Sequence, residues 1–137
     1  MALPIATIDH VAVTTNDVAR FIDFYRSVLE ATVEAEYQHD GAVSVTTLSV
    51  GAAMMNVHRA GHGHWLVAEQ PTPGAVDICF RWNAPIADAV DVLHRAGVPI
   101  IEGPSPRLGA SRGPATSVYF RDPDGNLVEL LTTVPDR

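Results

Sequence analysis

Three side chains suited to a divalent cation occupy matched places in this chain: His10, Asp77 and Glu129. Each lies in a β-prone run, where residues two apart share a face. His10 shares its face with Ile8 and Ala12. Val76, Ile78, Phe80 and Trp82 make one apolar face, which leaves Asp77, Cys79 and Arg81 on the other. Val128 and Leu130 turn to the apolar side, so Glu129 points the opposite way with Leu127 and Leu131. Asn56 and His58 also share a face. His10, Asn56, Asp77 and Glu129 are therefore predicted to line one concave surface. A carboxylate set among leucines is costly to bury uncompensated. One divalent ion answers that cost for Asp77 and Glu129 together, with the His10 imidazole as third ligand. Such a set suits Zn, Ni, Mn or Fe. The competing arrangement pairs the two acids with Arg81 and another basic group in a wet cup.

Other polar residues read less sharply. His58 is the candidate catalytic residue, as a general base or a second imidazole; a solvent-facing histidine at a strand end is the plain alternative. Asn56 offers a neutral amide oxygen and is placed in the substrate-binding set. Arg107 and Arg112, in a Gly/Pro-rich stretch, are candidates to clamp an anionic substrate through charge-assisted hydrogen bonds. Solvated loop arginines are the commoner case. Tyr119 either lines the pocket or packs under a helix. His58, His62 and His64 with Trp65 could form a second metal cluster, but the intervening glycines favour a surface lid with incidental histidines. Cys79 is read as a small packed thiol.

The elements that must position these residues fall into two halves. Ile5–Val13 is the first strand. Val18, Phe21, Ile22, Tyr25, Val28 and Leu29 form a helical stripe, capped from Thr15-Asn16-Asp17. Strands follow at about 31–37, 43–50 and 52–58. The order then restarts with a strand over 75–82 and a helix on Ile86, Ala89, Val90 and Leu93. Asn83 and Pro85 open that helix and Gly97 stops it. Strands at 98–102, 116–121 and 126–132 complete the half, the last two joined by a turn at Asp122-Pro123-Asp124-Gly125. Loops are expected at 59–74 and 103–114. A shift of 67 places His10 on Asp77 and Asn16 on Asn83, both read as caps. The fold predicted is α+β: two βαβββ modules, about 5–58 and 75–132, in one domain spanning 1–137. They would form a curved, cup-like, eight-stranded mixed sheet with the helices outside.

Composition narrows the function classes. A chain of 137 residues with 47% hydrophobic and 18% charged side chains supports a folded core. Its net charge of −7 gives no basic surplus for a nucleic-acid partner. No apolar run approaches a bilayer span, so no membrane partner is predicted. The opening Met1-Ala2-Leu3-Pro4 has no basic leader segment, and a single cysteine forms no internal disulfide, so a cytoplasmic location is expected.

Ile8-Asp9-His10-Val11-Ala12-Val13, then Asp17 and Phe24-Tyr25-Arg26-Ser27-Val28-Leu29, resemble the opening of the vicinal oxygen chelate superfamily. That superfamily includes glyoxalase I, extradiol dioxygenases, and fosfomycin- and bleomycin-resistance proteins. Tyr119-Phe120-Arg121-Asp122-Pro123-Asp124-Gly125-Asn126-Leu127-Val128-Glu129-Leu130 resembles its closing motif, the most specific signal in the chain. Asn56-Val57-His58, the stretch 73–80 and Glu102-Gly103-Pro104 resemble a subgroup of glyoxalase-domain, virulence-associated proteins. The resemblance implies metal ligation by His10 and Glu129. The fifth-strand ligand, usually His, is Asp77 here, which argues against dioxygenase chemistry on a two-His, one-carboxylate iron. Asn56 stands where glyoxalase I has a Glu for proton transfer, which argues against a lactoylglutathione lyase.

The implied function is a metal-dependent enzyme acting on a small oxygen-chelating substrate by isomerase, lyase or addition chemistry. The alternative is a metal-free module that sequesters a drug or metabolite, as bleomycin-resistance proteins do. A homodimer is also implied, covering sheet edges and apolar rims such as Leu3, Ile5 and Leu66. His10 would then come from one chain and the two acids from the same chain or its partner.

Overall fold

In the computed structural model, which describes residues 3–137, the chain divides into units Met1–Thr72 and Pro73–Arg137. Met1 and Ala2, part of the opening read above, lie outside the described residues. The first unit runs β1 (Val11–Thr15), α1 (Val18–Leu29), β2 (Thr32–His39), β3 (Ala42–Val50) and β4 (Ala53–Arg59). The second runs β5 (Asp77–Arg81), α2 (Ile86–Arg95), β6 (Glu102–Leu108), β7 (Pro114–Arg121) and β8 (Leu127–Thr132). The eight strands form two four-stranded mixed sheets, ordered β1-β4-β3-β2 and β5-β8-β7-β6. In each sheet the first and last strands of the module pair in parallel and the remaining contacts are antiparallel. The βαβββ repeat read from the sequence is thus present in both halves.

Helix α1 forms where the stripe predicts it. Phe21, Tyr25 and Val28 are buried, and the Phe21 and Tyr25 rings stack at 4.4 Å between centroids. Asp17 is the cap, its carboxylate accepting from Arg20 N at 3.0 Å. These side chains pack on the face of β1, β3 and β4 that carries Val13, Leu48, Met55 and Val57. Each fully buried side chain of this kind contributes about 1.5–3 kcal/mol. In the second unit Ile86, Ala89 and Leu93 of α2 cover Phe80, Val118, Phe120, Val128 and Leu130. Gly97 ends α2 with φ +70°, and Val98 N donates back to Leu93 O at 2.9 Å, as a helix stop requires.

Four details differ from the sequence reading. The first strand begins at Val11, and residues 3–10 precede it as an exposed segment without regular structure, so His10 lies just outside the strand. Neither Asn16 nor Asn83 caps a helix. Asp17 serves α1, while Pro85 stands at the start of α2 in an extended conformation, its carbonyl accepting from Asp88 N and from the Trp82 indole N–H at 3.2 Å. The sixth strand is Glu102–Leu108, in the stretch read as loop, rather than 98–102. Pro104 and Pro106 disguise it, since neither donates to a ladder, but β6 is a sheet edge where one side needs no donors. Gly103, at φ +96°, marks the irregular register there; a Cβ would lie 2.3 Å from Ser117 O.

Candidate functional site

Each sheet has one face covered by its helix and one left open, and the open faces carry the polar residues. Register makes the two open faces equivalent: Ala12 pairs with Asn56 in the first unit, and Cys79 with Glu129 in the second. His10 and Asp77 each lie two residues before those paired positions. A shift of 67 thus relates the first strands of the two modules, while their partner positions Asn56 and Glu129 stand 73 apart.

On the second unit's open face Glu129 is half-buried between Leu127 and Leu131 in sequence, and its Oε2 accepts from Ser117 Oγ at 2.6 Å. Ser117 is fully buried. Asp77, on the adjacent strand β5, is exposed and turned to the same side. Among the described residues neither carboxylate forms an ion pair, so the arrangement in which Arg81 neutralises them is not present. Arg81 instead lines a cavity of about 360 Å³ together with Cys79, Leu108, Glu129 and Leu131. Cys79 is exposed on this open face rather than packed as a core thiol. Partial burial, then the charge and hydrogen bonding of Glu129, push the thiol up to about 11.

Arg107 and Tyr119 are joined. Arg107 Nε donates to the Tyr119 hydroxyl at 2.7 Å and the guanidinium carbon lies 5.1 Å from the ring centre. That hydrogen bond raises the Arg107 pKa further. Burial raises that of Tyr119, helped by Glu129 and opposed by Arg107. Tyr119 thus belongs to the open face and not beneath a helix. Arg112 lies apart in the 109–113 loop, exposed and left-handed at φ 61°.

On the first unit's open face Asn56 Oδ1 accepts from Thr47 Oγ1 at 2.7 Å. Its amide oxygen is already engaged, and what it presents is chiefly the NH₂ group. His58 Nδ1 lies 3.2 Å from Nε2 of His62, and His62 Nδ1 accepts from His64 N at 3.0 Å. His62 is buried and so is not an incidental surface group, whereas His64 and Trp65 are exposed as read for a surface loop. His10, before β1, is partly exposed and holds Asp9 Oδ1 at 2.8 Å through Nδ1. Among the described residues no group of three or more His, Cys, Asp or Glu is gathered about one point for a metal ion.

Sequence reasoning missed Ser117, Thr47 and the His58–His62 contact. Ser117 was within reach, because it shares the face of Tyr119 by alternation. The two hydrogen bonds from residues 47 and 62 depend on strand register and loop path, which alternation does not supply.

The turn inside the closing motif, Asp122 to Asn126, is scaffolding for the site residues that flank it. Gly125 N donates to Asp122 O at 3.0 Å across the turn, with Gly125 at φ +88°. Asp122 Oδ1 accepts from the amides of Asp124 and Asn126, and Asn126 Nδ2 donates to Asp122 Oδ2 at 2.8 Å. Asn126 Oδ1 then accepts from Val76 N at 2.9 Å, tying the turn to the residue that precedes β5. This knot sets the start of β8 beside β5 and so fixes where Glu129 and Asp77 stand.

Residues 7–130 match the Glyoxalase/Bleomycin resistance protein/Dioxygenase superfamily. The chain belongs to that superfamily. Virulence protein STM3117 of Salmonella typhimurium is 40% identical over 90% of this chain and 81% of its own length. The crystal structure of that protein superposes with a TM-score of 0.86 at 38% identity, covering 96% of this chain and 100% of the other. A protein from the mobile metagenome of V. Pseudocholerae, VPC_CASS1, superposes with a TM-score of 0.87 at 33% identity, covering 98% and 100%. An ethylmalonyl-CoA/methylmalonyl-CoA epimerase of Cereibacter sphaeroides is 28% identical over 92% of this chain and 97% of its own length. Within the glyoxalase superfamily this chain therefore sits among proteins of its own size that carry both modules of the fold. No helix among the described residues is long and apolar enough to cross a membrane.

Proposed function

We propose that the chain is a divalent-metal-dependent enzyme of the vicinal oxygen chelate type, acting on a small substrate with two neighbouring oxygens by isomerase, lyase or addition chemistry. One observation carries the reading. Asp77 and Glu129 share the open face of adjacent strands, and among the described residues neither meets a cation in an ion pair. Glu129 is half-buried with a hydrogen bond from Ser117 but no cation, and Asp77 stands diagonally from it on the neighbouring strand, so a divalent ion would compensate both charges. With His10 as the imidazole ligand, the donor set fits Mn²⁺, Fe²⁺, Ni²⁺ or Zn²⁺ and leaves positions for water and substrate oxygens. When bound, the ion supplies Lewis-acid stabilisation of charge developing on a substrate oxygen.

The chain's own residues do the rest. Ser117 holds Glu129 in one orientation. Arg107, fixed by Tyr119, and Arg112, from the neighbouring loop, are our candidates to meet an anionic group of the substrate. Asn56 orients substrate through its NH₂ group, and His58 is the catalytic imidazole of the first unit. One relative, named as an epimerase, is consistent with isomerase-type chemistry. We place the protein in the cytoplasm, as a homodimer. Leu3, Ile5 and Ile8 are 76%, 76% and 77% exposed in the segment leading into the edge strand β1, apolar surface that a second copy would cover.

A second reading, a metal-free binding module, draws on the lack of a gathered metal cluster among the described residues. The experiment that separates the two is metal titration of tag-free protein, followed by calorimetry and melting. Wild type should bind one divalent ion per chain and melt higher; at a hundredfold excess over Kd the gain is about 2.7 kcal/mol. His10→Ala and Glu129→Ala should lose most of the affinity, Asn56→Ala should keep it, and His58→Ala should lose turnover more than metal. Absence of binding at micromolar metal, or equal binding by the His10 and Glu129 variants, removes the metal reading and leaves the sequestering module. Monomeric light scattering at micromolar protein removes the dimer.

A further inference from the structure

The first unit contains a chain of hydrogen bonds that the metal reading leaves unused. The backbone N–H of His64 donates to His62 Nδ1 at 3.0 Å, and His62 Nε2 lies 3.2 Å from His58 Nδ1. A backbone amide only donates, so His62 Nδ1 carries a lone pair and the ring hydrogen sits on Nε2. That hydrogen points at His58 Nδ1, which must accept it. His58 therefore keeps its own hydrogen on Nε2. One backbone N–H thus settles the tautomers of two rings. His64 is held in the same sense, its Nδ1 accepting from Leu66 N at 3.1 Å.

We propose that His62 is a positioning residue that holds His58 as a neutral Nε2–H donor, so that His58 serves a carbonyl or carboxylate oxygen of the substrate and does not abstract a proton. Both rings line a cavity of about 240 Å³ in this unit, with Thr14, Gly61 and Val67. His62 is 9% exposed, which keeps its ring from turning freely. A proton added to His58 would go on Nδ1, against the His62 N–H. Turning His62 into an acceptor would put its hydrogen on Nδ1, against the His64 amide. Either route breaks a bond that the other ring needs.

The surrounding charges act in the same direction. Burial, then His62 and His64, lower the His58 pKa. Burial, then Arg59, His39 and His64, lower that of His62, outweighing a backbone hydrogen bond that raises it. The acidic group at hand, Asp40, lies 3.3 Å from His39 Nε2 and is paired there. A neutral imidazole N–H aimed at an oxygen stabilises negative charge arising on it without any transfer of the proton. The same hydrogen bonds engage Nδ1 of His62 and of His64 and so withhold those two nitrogens from a metal ion.

The substrate role of His58 rests on the proposed enzyme reading; the tautomers do not, and they are measured in the metal-free full chain. Side-chain ¹⁵N NMR of the wild type should show a protonated Nε2 and a lone-pair Nδ1 in both His58 and His62. Both should stay neutral below the usual histidine value of about 6.5. His62→Phe removes the donor, so His58 should titrate closer to the ordinary value and populate both tautomers. His62→Gln keeps an N–H at similar reach and should restore the Nε2–H form. A wild-type His58 with its hydrogen on Nδ1 overturns the proposal, and so does a His58 that behaves alike in wild type, His62→Phe and His62→Gln. Loss of metal binding leaves this result standing, so failure of the metal reading and failure of the relay are read separately.

Discussion

Replacing Asn126 by Ala should cost this protein a large share of its stability, although the residue touches none of the proposed ligands directly. Asn126 is 1% exposed. Its side chain donates to Asp122 Oδ2 at 2.8 Å and accepts from Val76 N at 2.9 Å. Alanine deletes both bonds, one made to the buried Asp122 carboxylate and one made by the half-buried Val76 amide. Losing a bond to such a group costs about 1–3 kcal/mol, and because the two share one network the sum is held to about 3 kcal/mol. Against a total stability of about 5–15 kcal/mol that is severe. For a chain of this size it lowers Tm by on the order of 10 °C. Asn126→Asp is the sharper probe. It keeps an acceptor for Val76 N but turns an oxygen toward Asp122 Oδ2, so it should be no more stable than alanine at neutral pH. It should recover as the pH falls far enough for the two acids to share a proton. Thermal melting across pH reads both variants. An alanine variant melting within about 2 °C of wild type, or an aspartate variant without recovery in acid, refutes the assignment of this turn to scaffolding.

Cys79 should resist alkylation. With its thiol at about 11, roughly one molecule in a thousand is thiolate at pH 8, against about a quarter for an ordinary thiol. Iodoacetamide should react on the order of a hundredfold more slowly than with free cysteine, and Glu129→Gln should quicken it in part, since burial remains. A wild-type rate equal to free cysteine refutes this. Gly103→Ala should lower Tm through a combination of its φ of +96° and a Cβ 2.3 Å from Ser117 O, a strain of about 1–3 kcal/mol or more; unchanged melting refutes it. Stability should also fall in mild acid. His58 and His62 have lower pKa values folded than unfolded, so below about 6.5 the unfolded chain takes up protons first. The loss ends once pH passes below the folded values. His62→Phe should flatten that slope, and an identical slope in wild type and variant counts against it.

The sequence exposed the repeat because both modules keep the same alternation between a helix-facing and an open side. Asp77 and Glu129 interrupt apolar strands, and that interruption is visible without any partner strand in view. Phe21, Tyr25 and Val28 mark α1 in the same direct way, since a helical stripe is a local property. Harder to see was β6, whose prolines and Gly103 look like loop residues until the neighbouring edge is known. β-propensity puts His10 inside the first strand because it does not report where a partner ends. The β1–β4 register begins at Val11 opposite Met55, so His10 remains outside it.

The candidate site divides along the same line. Residue types and spacing located the acids, Asn56 and His58, all of which lie on open sheet faces. They could not supply what each side chain is bonded to, because hydrogen bonds join residues brought close by register: Ser117 to Glu129, Thr47 to Asn56, His62 to His58. Those partners change the chemistry that each residue can offer. Asn56 presents a donor rather than a free oxygen, Arg107 is fixed by a tyrosine, and the tautomer of His58 is dictated by a peptide bond six residues away. A set of candidate ligands is thus readable from the chain alone, whereas the protonation and orientation that decide a reaction are properties of the neighbours.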